Sequence, residues 1–222
     1  MDWTALALSL KLGLASAVIL LPIGIFLGRW FAWKRFRGKA IAEALLALPL
    51  VLPPTVLGFY LLIAFGGASP LGRGYQLIVG HPLVFSFEGL LLASIIINLP
   101  FAVQPMQRAF AAIPEEIRAA GACSGLAPWQ VLLRIDLPLA WPGIVTGLVL
   151  AFAHTLGEFG VVLMVGGSIP GRTETISIAI YDRVQAFDNG AAGVMSVLLL
   201  AFSLAALTAI YMLSSRVGRR DG

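Results

Sequence analysis

The sequence predicts an all-α integral membrane protein with about five transmembrane helices. Of its 222 residues, 59% are hydrophobic and only 12% are charged. A soluble domain of this length carries more charge, because its surface must face water. The apolar runs, roughly 20 residues each, have the length of membrane-spanning helices and lack the alternation of barrel strands.

Five apolar segments carry this prediction, and together they make one transmembrane domain over residues 1–222. They cover about 8–27, 40–65, 89–103, 139–165 and 191–213, and the stretches between them are predicted loops. The second segment contains Pro49, Pro53 and Pro54, which interrupt the hydrogen bonds of a helix. Because lipid cannot satisfy the freed backbone groups, we expect residues 48–54 to be packed inside a bundle of helices.

The basic residues are divided unequally between the two sides of this domain. Eleven belong to the stretches 29–39, 108–136 and 214–222, which share one side: Arg29, Lys34, Arg35, Arg37, Lys39, Arg108, Arg118, Arg134, Arg216, Arg219 and Arg220. The other side has four: Lys11, Arg73, Arg172 and Arg183. The positive-inside rule therefore predicts an N-terminus outside the cell and a cytoplasmic C-terminus. We interpret the net charge of +4 as a result of these cytoplasmic basic residues and not as a signal for nucleic-acid binding. The expected partner is therefore the lipid bilayer.

The cysteine and glycine patterns indicate structure and not chemistry. Cys123 is the one cysteine of the sequence, which excludes a disulfide framework and a multi-cysteine metal site, and we expect no metal. Gly24 with Gly28, and Gly143 with Gly147, have the spacing that lets membrane helices pack closely.

Residues 166–173 nearly match a phosphate-binding loop of the pattern G-x4-G-K-[ST]. Arg172 stands where that loop has the lysine that reaches the nucleotide phosphates, and the predicted topology puts the stretch on the outer face. We therefore predict no nucleotide site, no catalytic residue and no cofactor in this chain, so that any energy supply comes from a partner.

His154 and Glu158 are ionisable residues four positions apart in the fourth segment, and so lie on one helical face. Ionisable groups within a span are costly and mark candidate functional sites. Three interpretations stay open: a structural pair or a group facing a wet cavity, a lining of a solute pathway or its outer gate, and a proton relay. Asn98 in the third segment is expected to bond a neighbouring helix.

The rest of the chain is organised around a polar stretch, residues 113–138, between the third and fourth segments. Pro114, Glu115 and Glu116 are typical of a helix N-terminus, and Gly125 is typical of a helix stop. The small residues 119–122 give this short helix an almost bare surface. Such a surface lets another protein approach closely.

The spacing within this stretch resembles the coupling-loop signature of ABC-importer permeases, E-A-A-x3-G-x9-I-x-L-P. Ala119 stands in place of the usual glutamate and Gly121 in place of the second alanine, while Glu115 and Glu116 lie one turn upstream and are candidates for the missing acidity. The resemblance implies that residues 115–129, which include Arg118, dock on an ATPase subunit. The match falls on five positions: Ala120, Gly125, Ile135, Leu137 and Pro138.

Residues 48–58, 155–160 and 168–175 are similar to one branch of these permeases, that of molybdate transport systems. The resemblance implies a MetI-like type I ABC importer permease, which is an inner-membrane pore subunit for molybdate and tungstate and is not itself an enzyme. It also implies a homodimer, two cytoplasmic ATPase subunits that bind ATP and Mg, and an external oxyanion-binding protein. The candidates for the pathway or its gate are Pro53, Pro54, His154, Gly157, Glu158, Phe159 and Gly160.

Three hypotheses follow from these patterns. The first is the pore subunit of an oxyanion importer, for molybdate or for a related anion such as sulfate, thiosulfate or tungstate. The second is a secondary transporter coupled through His154 and Glu158, against which the lack of a visible internal repeat counts. The third is a membrane anchor or assembly factor, for which the stretch 113–138 would be dispensable.

Overall fold

A computed structural model of the chain describes residues 2–218. The regular structure within that range is entirely helical, as predicted. One π-helical turn, Leu132–Asp136, is part of this structure. The helices are α1 Trp3–Trp33, α2 Lys39–Val51, α3 Pro54–Phe65, α4 Pro70–Val79, α5 Phe87–Ala111, α6 Glu115–Cys123, α7 Pro128–Val131, α8 Leu137–Gly157, α9 Gly160–Gly166, α10 Ile176–Gln185 and α11 Asn189–Gly218.

Five of these stretches correspond to the five predicted spans. The helices Trp3–Trp33, Phe87–Ala111 and Pro128–Gly157 are long and apolar enough to cross a membrane. The pair α2 and α3 passes the same test as one bent span, and α11 contributes a shorter apolar stretch, Asn189–Ala205. By length and composition these are three spans, or four with the bent pair counted as one, and α11 would make the fifth of the predicted five. Of the predicted basic tail, Arg219 and Arg220 lie outside the described residues.

The first span is longer at both ends than its apolar run. Asp2 caps α1, because its carboxylate accepts hydrogen bonds from the backbone N–H groups of Thr4 and Ala5. The helix then continues to Trp33, so Arg29 lies on α1 and not in the connecting loop where the sequence pattern put it. A helix of this length is about 46 Å long, which exceeds a bilayer core of about 30 Å.

The second segment consists of two helices, and the chain bends by 110° between α2 and α3. The predicted burial of residues 48–54 is wrong for the single chain, since α2 has no buried residue and Pro53 and Pro54 are exposed. The prolines end α2 as expected, because the carbonyls of Pro49 and Leu50 lose the donors four residues ahead. The break nevertheless faces outward.

The fourth segment is also broken, which the sequence interpretation of 139–165 as one span missed. The helix α8 ends at Gly157, and α9 begins at Gly160 after Glu158 in an extended conformation. Nearby side chains satisfy the freed backbone groups: Glu158 Oε1 accepts from Val161 N–H at 3.0 Å, and Ser177 Oγ donates to the Glu158 carbonyl at 2.6 Å.

Both long predicted loops contain a helix. Within 66–87, Ser69 caps α4 by accepting from Gly72 N–H, and Pro70 takes the first helical position. Within 166–190, α10 begins where Ile176 N–H donates to Ser9 Oγ on α1. The serine and proline before α4 were a local signal for that helix, whereas α10 depends on a partner far along the chain.

The core of the bundle is the contact of α5 with α1 on one side and with α8 on the other. Glycines make both contacts close, as their spacing predicted. A Cβ atom at Gly24 would lie 2.7 Å from Met106 Sδ, and one at Gly28 would lie 3.0 Å from Gln107 N. On the other side, a Cβ atom at Gly143 would lie 2.3 Å from Ala109 Cβ.

Replacing Gly147 by alanine tests this packing, because the new Cβ would lie 2.6 Å from the carbonyl oxygen of Ala102, a backbone atom that cannot rotate away. We expect a loss of about 1–3 kcal/mol in the free energy of unfolding, measured as a lower midpoint of thermal unfolding in detergent. The matched control is Gly193→Ala on α11, where a Cβ meets nothing within 4 Å. The control should hold or raise the midpoint, since alanine favours helix over glycine. Equal midpoints for the two variants would contradict this account.

Candidate functional site

The polar stretch between α5 and α8 folds as its sequence predicts. The helix α6 covers Glu115–Cys123, and Gly125 adopts a φ of +78°, a conformation that glycine enters readily and other residues rarely. Pro128 then begins α7, and Gln130 Oε1 accepts from Ala127 N–H at 2.8 Å. The short helix, its glycine stop and the following proline are confirmed.

One face of this stretch is bare and open to a partner. The side chains of Glu115, Glu116, Ala119 and Ala120 on α6 are exposed. Two larger apolar residues of the same stretch are also exposed, Ile117 by 44% and Trp129 by 62%. An exposed apolar residue next to a bare helix is typical of an interaction surface.

The opposite face of α6 packs on the π-helical turn. Gly121 is buried, and a Cβ there would lie 2.5 Å from Ile135 Cδ1. Leu137 packs against the main core, while Pro138 is exposed in the first turn of α8. Of the motif residues, Gly121, Ile135 and Leu137 thus pack inward, whereas Ala119, Ala120, Gly125 and Pro138 are exposed.

Asp136 connects this stretch to the first span, and the sequence interpretation missed it. Its side chain has no exposed surface, and Arg29 Nε donates to Asp136 Oδ2 at 3.0 Å. Arg118 of α6 pairs with the other carboxylate oxygen, with 3.4 Å between Nε and Oδ1. The guanidinium of Arg118 also stacks on the ring of Trp33, 3.4 Å from its centroid. A lone carboxylate at the edge of a span was the signal that could have indicated this site.

The cluster Arg29–Asp136–Arg118 joins three elements at one carboxylate. Arg29 belongs to α1, Arg118 to α6, and Asp136 to the turn that leads into α8. A buried charge is stable only when paired, so the three elements are held in one arrangement.

The two broken spans meet each other, which brings the predicted pathway residues together. The start of α3 packs on the start of α9, and a Cβ at Gly160 would lie 2.7 Å from Pro54 Cβ. One turn further, a Cβ at Gly58 would lie 2.9 Å from Met164 Cβ. Pro53, next to this contact, is exposed and not covered by the rest of residues 2–218.

His154 and Glu158 are neighbours, as their spacing predicts, with 3.7 Å between Nε2 and Oε2. The other ring nitrogen of His154, Nδ1, is 3.0 Å from Asn98 Oδ1, and Asn98 Nδ2 donates to Thr155 Oγ1 at 3.0 Å. The prediction that Asn98 bonds a neighbouring helix is confirmed. Since Glu158 also caps the start of α9 through Val161 N–H, this network links α5, α8 and α9. A role in a solute pathway stays a prediction.

The stretch that nearly matches a phosphate loop, residues 166–173, is a closed turn. Thr173 is fully buried, and its hydroxyl donates to the Gly166 carbonyl at 2.7 Å. The hydroxyl that a phosphate loop would offer to a metal ion is thus used within the turn. In the next residue, burial and the charge of Asp2 raise the pKa of the Glu174 carboxyl.

Comparison with known proteins gives one family for nearly the whole chain. The sequence profile of the family described as "Binding-protein-dependent transport system inner membrane component" matches residues 21–219. The chain is similar to the molybdenum transport system permease protein ModB of Azotobacter vinelandii, with 43% identity over 210 residues, which are 95% of this chain and 93% of that protein.

Two solved structures share the fold. The chain superposes on a subunit of a bacterial alginate ABC transporter in complex with an alginate pentasaccharide-bound periplasmic protein, with a TM-score of 0.74, 17% identity and coverage of 96% of this chain and 78% of that one. It superposes on a chain of the inward-facing MetNI methionine ABC transporter with a TM-score of 0.69, 19% identity and coverage of 97% and 94%. The predicted MetI-like fold is confirmed.

The Arg29→Gln variant tests the role of the buried carboxylate. We expect it to lose about 3 kcal/mol in the free energy of unfolding, because Asp136 keeps its charge but loses its better-placed partner. Adding Asp136→Asn to the same chain should recover much of that loss, since the fully buried side chain then carries no charge, while Arg118 is 26% exposed and keeps its contact with the ring of Trp33. The measurement is thermal unfolding of the two single variants and the double variant. A double variant less stable than Arg29→Gln alone would contradict the assignment.

Two substitutions of Glu158 separate the hydrogen bond that it accepts from the charge that it carries. Glu158→Gln keeps an oxygen for Val161 N–H and should retain most of the thermal stability, whereas Glu158→Leu leaves that N–H buried without a partner and should lose about 1–3 kcal/mol. A structural role also predicts that the Gln variant keeps its transport activity. Loss of transport with normal stability in the Gln variant would instead assign the charge to the pathway or to a proton relay.

Proposed function

The chain belongs to the family of binding-protein-dependent transport system inner membrane components, and on this premise we propose that it is the pore subunit of an ATP-driven importer of molybdate. It is a multi-pass protein of the inner membrane. The proposed substrate is inferred from the 43% identity to a molybdenum transport permease over 95% of the chain. Tungstate, an anion of the same shape and charge, would take the same route.

The bare face of α6 is the proposed docking surface for an ATPase subunit. Its exposed alanines admit a close contact, and Glu115 and Glu116 add negative charge at the helix N-terminus. ATP and Mg would be bound by that partner, and this chain would supply no catalytic group. When the ATPase subunits close on ATP they would push α6, and the cluster Arg29–Asp136–Arg118 would pass the displacement to α1 and α8.

A second copy of this chain is the proposed cover for the exposed break between α2 and α3. The carbonyls of Pro49 and Leu50 lack helical donors, which lipid cannot replace, and the apolar side chains beside them, such as Val51, 80% exposed, offer a surface for a protein partner. A homodimer would bury this surface and place the pathway along its axis. The contact of Pro54 with Gly160 would then lie beside that axis, with His154, Gly157, Glu158 and Phe159 as further candidates for the pathway or its gate.

The proposed orientation has the N-terminus outside and α6 in the cytoplasm. It rests on the unequal distribution of basic residues. The outer ends of the spans would receive the oxyanion from an external binding protein. The spans carry few fixed positive charges, which suits a pathway that releases an anion and does not hold it.

Molybdenum uptake tests the function. Cells that lack their own high-affinity uptake would express this chain with its ATPase and binding protein, and cell molybdenum would be measured by elemental analysis. We expect uptake that tungstate blocks, that sulfate does not block, and that an inactive ATPase abolishes. Block by sulfate would assign the chain to sulfate transport. Uptake by this chain alone that a protonophore abolishes at constant ATP would make it a secondary transporter.

The Ala120→Arg variant tests the docking surface in the same assay. Ala120 is exposed and arginine is a good helix former, so the variant should fold and insert. A charge placed within the interface should lower uptake by about tenfold or more. The matched control, Ala120→Ser, keeps the surface bare and should retain uptake. Full uptake by the arginine variant would contradict the docking role of α6.

A further inference from the structure

A cavity of about 500 Å³ lies at the end of α1, beside the cluster Arg29–Asp136–Arg118. It opens between the last turns of α1 and the guanidinium of Arg118 on α6. Its lining combines three basic and three aromatic side chains: Arg29, Lys34, Arg118, Phe26, Trp30 and Trp33. Neither the docking face of α6 nor the contact of the broken spans includes it.

The basic half of the cavity has more positive charge than its neighbours neutralise. Arg29 and Arg118 share the single carboxylate of Asp136, which is fully buried and therefore offers no further oxygen to the cavity. The Lys34 side chain is exposed and takes part in none of the ion pairs found within residues 2–218. Three cations around one carboxylate leave a site that favours an anion.

The aromatic half of the cavity faces the surroundings of the bundle. Phe26 is 68% exposed and Trp30 is 39% exposed, and both lie on α1 within reach of lipid. The ring of Trp30 stacks on that of Phe36 with 4.9 Å between centroids, which holds it in place. An apolar wall along a span, ending in basic groups near its cytoplasmic end, fits a molecule with an acyl chain and an anionic head.

We propose that this cavity binds an anionic phospholipid, with its phosphate between Lys34 and Arg118 and an acyl chain along Phe26 and Trp30. Free inorganic phosphate offers the same charged group, but it has no use for the aromatic wall. Because Lys34 follows α1 and Arg118 belongs to α6, the headgroup bridges the first span and the proposed ATPase-docking helix. This site is independent of which solute the chain carries.

The test uses the full chain in nanodiscs of phosphatidylcholine that contain a minority of phosphatidylglycerol. Phosphatidylglycerol retained per chain after delipidation in detergent is measured by mass spectrometry. Lys34→Gln should lower the retained amount about fivefold, the effect of removing one cation next to an anionic headgroup. The matched control is Arg37→Gln, an exposed cation of the same segment that does not line the cavity. It should retain phosphatidylglycerol like the unaltered chain.

Equal losses in the two variants would overturn the proposal in favour of diffuse attraction between the basic segment and the membrane. A second arm gives lipid-free chain either inorganic phosphate or phosphatidylglycerol and follows the midpoint of thermal unfolding. We expect phosphatidylglycerol to raise the midpoint, and the increase to be lost in Lys34→Gln. A rise with inorganic phosphate and none with the lipid would also overturn it, because the ligand would then be a free ion.

Discussion

The buried carboxylate of Asp136 forms the interaction on which the arrangement of α1, α6 and α8 depends. A carboxylate without exposed surface keeps its charge only beside cations, so α1 and α6 must end where Arg29 and Arg118 can reach it. The π-helical turn places this residue inward at the start of α8. The position of α6 therefore depends on these ion pairs and not on a large apolar contact. The position of the exposed surface proposed to bind a partner depends on them as well.

Local patterns were sufficient to predict the spans and the short helix α6. The length of the apolar runs determined where helices could cross a membrane. Gly125 follows the end of α6 and Pro128 begins α7, as expected. The paired glycines pack on α5 because close approach needs only the absence of a Cβ. Each of these features depends on residues within one or two helical turns, which is why a sequence alone carries them.

The features that the sequence did not predict depend on distant partners. Arg29 and Asp136 are separated by 107 positions, and nothing in either local pattern indicates the other. The break at Gly157–Gly160 is stabilised by Glu158 and by Ser177, 19 residues beyond it, so an apolar run concealed it. The exposure of residues 48–54 was also missed, because the prolines indicate that the backbone is broken but not which surface the break faces.

The exposed break between α2 and α3 has a consequence for the life of the protein in the cell. A newly inserted chain presents the carbonyls of Pro49 and Leu50 without their helical donors, and such groups are several kcal/mol less stable in hydrocarbon than when paired. If a second copy covers this break, as proposed, a chain without that copy would be a substrate for membrane proteases. The cellular abundance of this protein would then depend on the rate of pairing and not on the rate of synthesis. Chains synthesised in excess would be degraded and would not accumulate.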